Sequence, residues 1–301
     1  MIPGPGAHGG DGARLARALG VPPGAVLDLS VSLNPFAPDL SALVADHADA
    51  LRHYPDDEPA TAALAAALGV DPQRVVLTNG GAEAIALVAA EHPVGDVRDP
   101  DFSLYRRHLR TVSAGAPRWR SNPNNPSGRL APAGAVAAVW DEAFYPLATG
   151  TWTRADAGAV VVGSLTKVFA CPGLRAGYVV VPDAAAAAAL RARRPEWSVS
   201  SLACALVPEL LAAADLTKWA TAIAAARRDL EGALRAVDLT PEPSDANYVL
   251  VPGAPGLRDH LARRAVLVRD TASFGIADGV RVAVPDTAGL DRLTEALEGY
   301  R

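Results

Sequence analysis

The stretch "VVGSLTKVFACPGLRAGY" (161–178) holds one of only two lysines in this chain of 301 residues. The other is Lys218, and the remaining 26 of the 28 basic residues are arginine. An apolar run, "AVVVGS" (159–164), leads directly into "LTK". Lys167 therefore falls at the C-terminal end of a strand, where open α/β sheets bind their ligands. A chain that otherwise uses arginine for positive charge keeps a lysine here for something arginine cannot do. A primary amine can lose its proton and condense with an aldehyde, and a guanidinium cannot.

Working outward, short β-branched runs alternate with helical ones. "RVVLTNGG" (74–81) reads as a strand entering a glycine turn, with a helix at 82–90 leaving it. "AGYVVVP" (176–182) is a further strand. Alanine-rich helices are expected at 59–69, 183–194, 200–213 and 216–236, since alanine is the best helix former. The tail alternates "ANYVLVP", a helix at 255–264, "AVLVRD", "GVRVAVP" and a last helix at 287–299. The pattern predicts an α/β protein: a mostly parallel sheet in a large domain, then a smaller α+β unit. We expect an N-terminal arm joined to the small domain at 1–35, a large domain at 36–183 and the small domain at 184–301.

The composition excludes several classes. Half the residues are hydrophobic and 20% charged, a globular balance. A net charge of −5 argues against a nucleic-acid surface. No apolar run reaches the length of a membrane span, and the start lacks the features of a signal peptide. Two cysteines, Cys171 and Cys204, make no disulfide framework, so a cytoplasmic protein is expected. Cys171 reads as apolar packing, and no metal site is expected.

The chemistry gathers around the lysine. Ser164, Thr166 and Arg175 supply hydroxyls and a guanidinium suited to a phosphate. "TNGGAEAI" (78–85) opens a helix whose free N–H groups and dipole suit the same anion. "NPNNPSG" (122–128) presents amides on a rigid loop, and "WDEAFYP" (140–146) sets Asp141 among apolar neighbours.

Taken in order, the glycine turn, "DFSLY" (101–105), "NPNNPSG", "DEAF", "SLTK" and "GLRAGY" resemble the fold type I, aminotransferase-like family of pyridoxal phosphate enzymes. The resemblance implies that Lys167 forms the Schiff base with the cofactor and later shuttles a proton. It implies that Asp141 pairs with the pyridinium nitrogen, Asn125 meets the ring's 3-oxygen, and Tyr105 stacks on the ring. Gly81, Ala82, Ser164, Thr166 and Arg175 would hold the phosphate. "RHYPD" (52–56) matches the segment whose tyrosine, here Tyr54, reaches the neighbouring subunit's cofactor, which implies a homodimer.

Within the family, "AHGGDGARLARALG", "LDLSVSLNPFAP", "EWSVSSLA" and "VRDTASFGI" are similar to segments of the threonine-phosphate decarboxylases of cobalamin biosynthesis. By that resemblance His8, Gly9 and Asn34 line the substrate site, and Arg269 and Arg281 hold substrate anions. Histidinol-phosphate aminotransferases share most of these motifs, so transamination stays open. A relative that keeps the fold without activity is a further alternative.

The chain departs from the pattern at Phe144, where many relatives have a tyrosine, and at Ser32 and Ser200, where the decarboxylases usually have asparagines. It is also short: only 12 residues separate Gly128 from Asp141. Trimmed helices or strands are expected in the large domain. "GPGAHGG" (4–10) matches a dinucleotide fingerprint in form, but no strand precedes it.

Overall fold

The computed structural model of the chain describes residues 2–6, 8–154, 156 and 158–300. In chain order the elements begin with α1 (Gly12–Leu19), β1 (Leu27–Leu29), α2 (Ser41–Asp46), α3 (Glu58–Leu68), β2 (Val75–Asn79) and α4 (Gly80–Glu91). There follow β3 (Val94–Gly95), α5 (Ser103–His108), β4 (Thr111–Val112), β5 (Trp119–Ser121), β6 (Val139–Asp141) and α6 (Tyr145–Thr149). Then come β7 (Val160–Ser164), α7 (Leu165–Val168), β8 (Ala176–Val180), α8 (Ala184–Arg193), α9 (Ser201–Ala212) and α10 (Leu216–Arg235). The chain ends with β9 (Tyr248–Val251), α11 (Leu257–Ala262), β10 (Val266–Asp270), β11 (Val280–Ala283) and α12 (Thr287–Leu297).

The large sheet has the order β2-β8-β7-β6-β5. Strands β5, β6 and β7 pair in parallel, and only β8 runs against its neighbours. Both faces are covered, which is why its central strands read as continuous apolar runs. Val75, Leu77 and Val161 point into one core with α3 and α9. Val76, Val160 and Val162 point into the other with α4 and α8.

Trimming takes a specific form. Beyond β5, a bridge from Asp96 to Arg118 attaches the pair β3–β4, each strand only two residues long. The strands at this edge are short, and of its connections only that from β3 to β4 carries a helix, α5. No helix lies between β5 and β6, where residues 122–138 return as a loop. Ala131, Ala135 and Ala137 of that loop pack on the core, and the Arg154 guanidinium lies 4.0 Å over the Trp140 ring. Loop and guanidinium together cover the sheet face.

The small sheet has the order β1-β10-β11-β9. Strand β1 pairs in parallel with β10, so the N-terminal segment is built into the C-terminal unit. The division at 183/184 does not coincide with the cores. Val199, Ala203, Leu210, Leu216 and Trp219 belong to the large-domain core, and the small-domain core takes over at Leu230 and Leu234. We therefore put the division within α10, a single 20-residue helix whose two halves bury against different sheets.

Candidate active site

A cavity of about 210 Å³ opens at the C-terminal ends of β6 and β7 and is closed from the other side by the N-terminal arm and the small sheet. Lys167 lies on its wall, in the short helix that starts where β7 ends. Burial first, then the nearby Arg281 and Arg175, pushes its amine down to about 8. A fraction of the neutral, nucleophilic form is thereby present near neutral pH.

The end that the resemblance assigns to the phosphate is made largely of backbone. Helix α4 begins straight out of β2, so its unpaired N–H groups at Gly81 and Ala82 face the cavity. Gly80 sits at φ +74°, and a side chain there would run into the Arg175 guanidinium. On β8, Gly177 lets that strand lie against the Gly80–Gly81 peptide. Ser164 and Thr166 complete this end beside Arg175. All five residues assigned to the phosphate thus converge, and the helix N-terminus adds its dipole.

Asp141 ends β6 at the opposite side of the cavity. Its Oδ2 accepts from the Tyr105 hydroxyl at 2.8 Å and its Oδ1 from the Ala143 N–H at 3.0 Å. Burial raises its pKa, while those two bonds and Lys167 pull it back. A carboxylate held in this way can take a cationic N–H, and that partner would offset its desolvation.

Tyr105 is placed differently from the stacking residue expected of it. Its ring is fully buried behind Phe102, its hydroxyl is committed to Asp141, and it does not line the cavity. The apolar walls are Phe102, Leu104 and Ile85 instead. One turn of α5 decides which aromatic faces in, and no sequence pattern fixes the rotation of a six-residue helix.

Asn125 and Arg281 meet in the cavity, where Arg281 Nη1 donates to Asn125 Oδ1 at 2.6 Å. That leaves the Asn125 amide N–H₂ for a ring oxygen. Phe144, with no hydroxyl to offer, lies edge-on to Tyr248 at 5.0 Å. Arg281 Nη2 reaches the Ser30 carbonyl at 3.2 Å, and the guanidinium lies 4.6 Å over the Tyr248 ring. Its Nε has no hydrogen-bond partner among the described residues. Burial lowers its pKa to about 10, so it stays cationic at neutral pH.

Arg269 donates to Ser273 Oγ at 2.7 Å and lies over Phe274. His8 packs edge-on to Phe102 at 5.9 Å, and Gly9 lies against the Ser30 backbone. Both arm residues line the cavity with Arg269 and Arg281. Burial, Arg269 and Arg107 hold the His8 imidazole below its usual range. Asn34 does not line the cavity. Its backbone N–H donates to the Lys167 carbonyl and its side chain to the Val168 carbonyl, both at 3.0 Å, so it braces the lysine's turn from outside. Tyr54 is likewise absent from its own subunit's cavity; it is 78% exposed and packs on Trp197 at 4.7 Å.

Residues 119–297 match the family model described as aminotransferase class I and II. The chain belongs to that family. The histidinol-phosphate aminotransferase 1 of Thiobacillus denitrificans is 29% identical across 95% of this chain and 88% of its own length. The threonine-phosphate decarboxylase of Salmonella typhimurium is also 29% identical, across 97% and 95%. These alignments run over 338 and 349 residues, longer than the chain itself, so they open gaps within it. A solved histidinol-phosphate aminotransferase from Sinorhizobium meliloti, in complex with pyridoxal-5'-phosphate, shares the fold with a TM-score of 0.81 at 21% identity over 99% of this chain and 94% of that one.

The donor set fits pyridoxal 5'-phosphate. A glycine-built helix start with an arginine suits its phosphate, and a buried carboxylate suits its ring nitrogen. An amide faces where its ring oxygen would lie, and an amine of lowered pKa suits its aldehyde. Chemistry that sequence reasoning missed includes Phe102 and Ser121 on the cavity wall and Asp101 behind them. The "DF" pair stood in a motif read only for its tyrosine.

Proposed function

We propose that this chain decarboxylates a small phosphorylated amino acid, with L-threonine O-3-phosphate the first candidate and a place in cobalamin biosynthesis. It is an enzyme of the transaminase or decarboxylase type, and its cofactor is pyridoxal 5'-phosphate. When bound, the cofactor supplies an electron sink for the pair left at the substrate Cα when a bond there breaks. Asp141 keeps a proton on the ring nitrogen, with its own orientation held by Tyr105 and Ala143. Lys167 would hold the cofactor through its amine and would carry the proton that Cα receives. In the overall reaction the Cα–carboxylate bond breaks, carbon dioxide leaves, and a proton takes its place.

One observation supports this substrate class above others. Beyond the groups the cofactor would use, the cavity holds two arginines, and Arg281 is buried with donors unspent. A buried guanidinium is stabilised by an anion in contact. A substrate carrying both carboxylate and phosphate would engage both arginines at once.

Transamination is the second reading. A histidinol-phosphate aminotransferase matches this chain at the same 29% identity as the decarboxylase, and a dicarboxylate amino donor would engage the same two arginines. The exposed Tyr54 suits a homodimer in which it reaches the partner's cofactor, since in its own subunit it touches no part of the site.

The test is product analysis by mass spectrometry after mixing the cofactor-loaded protein with L-threonine O-3-phosphate and no oxo-acid. Appearance of 1-amino-2-propanol O-phosphate is expected. Unchanged substrate, together with turnover of histidinol phosphate once 2-oxoglutarate is added, overturns decarboxylation in favour of the second reading.

A further inference from the structure

Behind the cavity wall lies a carboxyl group to which the reaction gives no role. Asp101 is 5% exposed and sits just before Phe102, against Ser121 at the C-terminal end of β5. Its Oδ1 accepts from the Phe102 N–H at 2.7 Å and from the Ser121 hydroxyl at 2.5 Å. The Ser121 N–H approaches both carboxyl oxygens at 3.3 and 3.4 Å. Ser121 Oγ in turn accepts from the Asn125 N–H at 2.8 Å. The donors therefore run in one direction, from Asn125 N–H through the Ser121 hydroxyl to the Asp101 carboxylate. That direction depends on Asp101 accepting. Phe102 and Asn125 are both cavity walls, and Asp101 is where their two backbone anchors meet.

We propose that Asp101 is a positioning residue: through Ser121 it fixes Asn125, through its own backbone neighbour it fixes Phe102, and its charge adds to that of Asp141 at the cofactor ring. The role is the same for decarboxylation and for transamination, because it concerns the cofactor end of the cavity. Two buried carboxyls that sense each other would raise the ring's affinity for protons when both are ionised, and less when Asp101 is neutral.

The groups facing Asp101 come from several elements. Asp141 on β6 opposes its ionisation, Arg118 just before β5 and Arg120 on it favour it, and Tyr105 on α5 and Tyr248 on β9 sense its charge. Burial outweighs the hydrogen bonds from Ser121 and Phe102, and the carboxyl is pushed up to about 7. Asp101 therefore changes charge close to neutral pH; a proton taken on Oδ2 leaves Oδ1 accepting from Phe102 and Ser121.

The experiment is a pH titration of the visible absorbance of the cofactor-loaded protein, through neutrality, for wild type, Asp101→Asn and Ser121→Ala. Wild type is expected to show a step near neutrality in addition to that of the cofactor–lysine adduct. Asp101→Asn, which keeps an oxygen for Phe102 and Ser121, is expected to lose that step and to give up the protonated band at lower pH. Ser121→Ala keeps the carboxyl and loses a donor to it, so the step moves to higher pH while the cofactor dissociation constant rises about three- to tenfold as Asn125 loosens.

A single-step titration in wild type overturns the proposal. So does a neutral step that persists in Asp101→Asn, which would belong to Glu142, itself pushed to about 7 by burial. Should Asp101→Asn not accumulate as folded protein, Ser121→Ala decides: an unmoved step overturns the proposal and an upward shift supports it.

Discussion

The two edges of the large sheet are built to different standards. At one, β2, β7 and β8 are five residues each, every strand is packed on both faces, α3 and α4 lie against them, and α9 packs on α3. At the other, β3 and β4 have two residues each and the return from β5 to β6 has no helix. The chemistry nevertheless draws on both: Lys167, Gly81 and Arg175 stand at the first edge, Asn125 and Phe102 at the second. What both contribute are strand ends and the first residues beyond them. The crossover helices that the chain lacks would pack behind the sheet, away from the cavity, so they can be lost while the site is kept.

The largest effects are expected at the well-built edge. Lys167→Ala should lower turnover by at least about 10³-fold, since covalent attachment and proton transfer both fail. Steady-state rates measured with saturating cofactor check this. Attachment of cofactor to the apo-protein should follow the same amine. With its pKa pushed down to about 8, the neutral form grows as pH rises, so the rate should climb up to about that pH and level off above it. A stopped-flow series in absorbance reads the curve.

Arg281→Gln should come next. It removes charge-assisted hydrogen bonds from the substrate end and should raise KM about ten- to a hundredfold with a smaller change in kcat. Gly177→Ala brings a methyl group against the Gly80–Gly81 backbone, which cannot step aside without moving the start of α4. A loss of about 1–3 kcal/mol in denaturant unfolding is expected, with weaker cofactor binding alongside it. At the reduced edge, Val136→Ser on the 122–138 loop changes a side chain that is 81% exposed. Its effect should stay within about 0.5 kcal/mol, and a larger one would mean that the loop carries more of the fold than its burial indicates.

Much of this was legible in the sequence, and for a common reason. Lys167, Asp141, Asn125, Arg175 and Gly81 lie at strand ends or glycine turns, where local pattern fixes position along the chain and the alternation of elements brings the ends together. Arg269 and Arg281 were named from the family resemblance, and the structure sets them opposite each other in register on β10 and β11. What escaped depended on rotation or on distant contact. Tyr105 and Phe102 are three residues apart, and only packing against Trp119 and His8 sorts one inward from the other. Asn34 carries a loop-like motif, yet its partners are carbonyls 133 and 134 residues away. The division of the cores inside α10 left no mark because a helix keeps one period while it changes partners. The lost helices were foreseen from loop length, whereas the survival of β3 and β4 as two-residue strands was not.

The central claim is that the lysine end of the cavity is a working cofactor site despite the reduced edge. The most direct measurement is peptide mapping by mass spectrometry after loading with pyridoxal 5'-phosphate and reduction with borohydride, which fixes the cofactor wherever it is bound. The chain holds one competing amine side chain, the exposed Lys218 at the start of α10. The account expects one cofactor per chain, on the peptide bearing Lys167. Label on Lys218 alone, or no label at all, would contradict it.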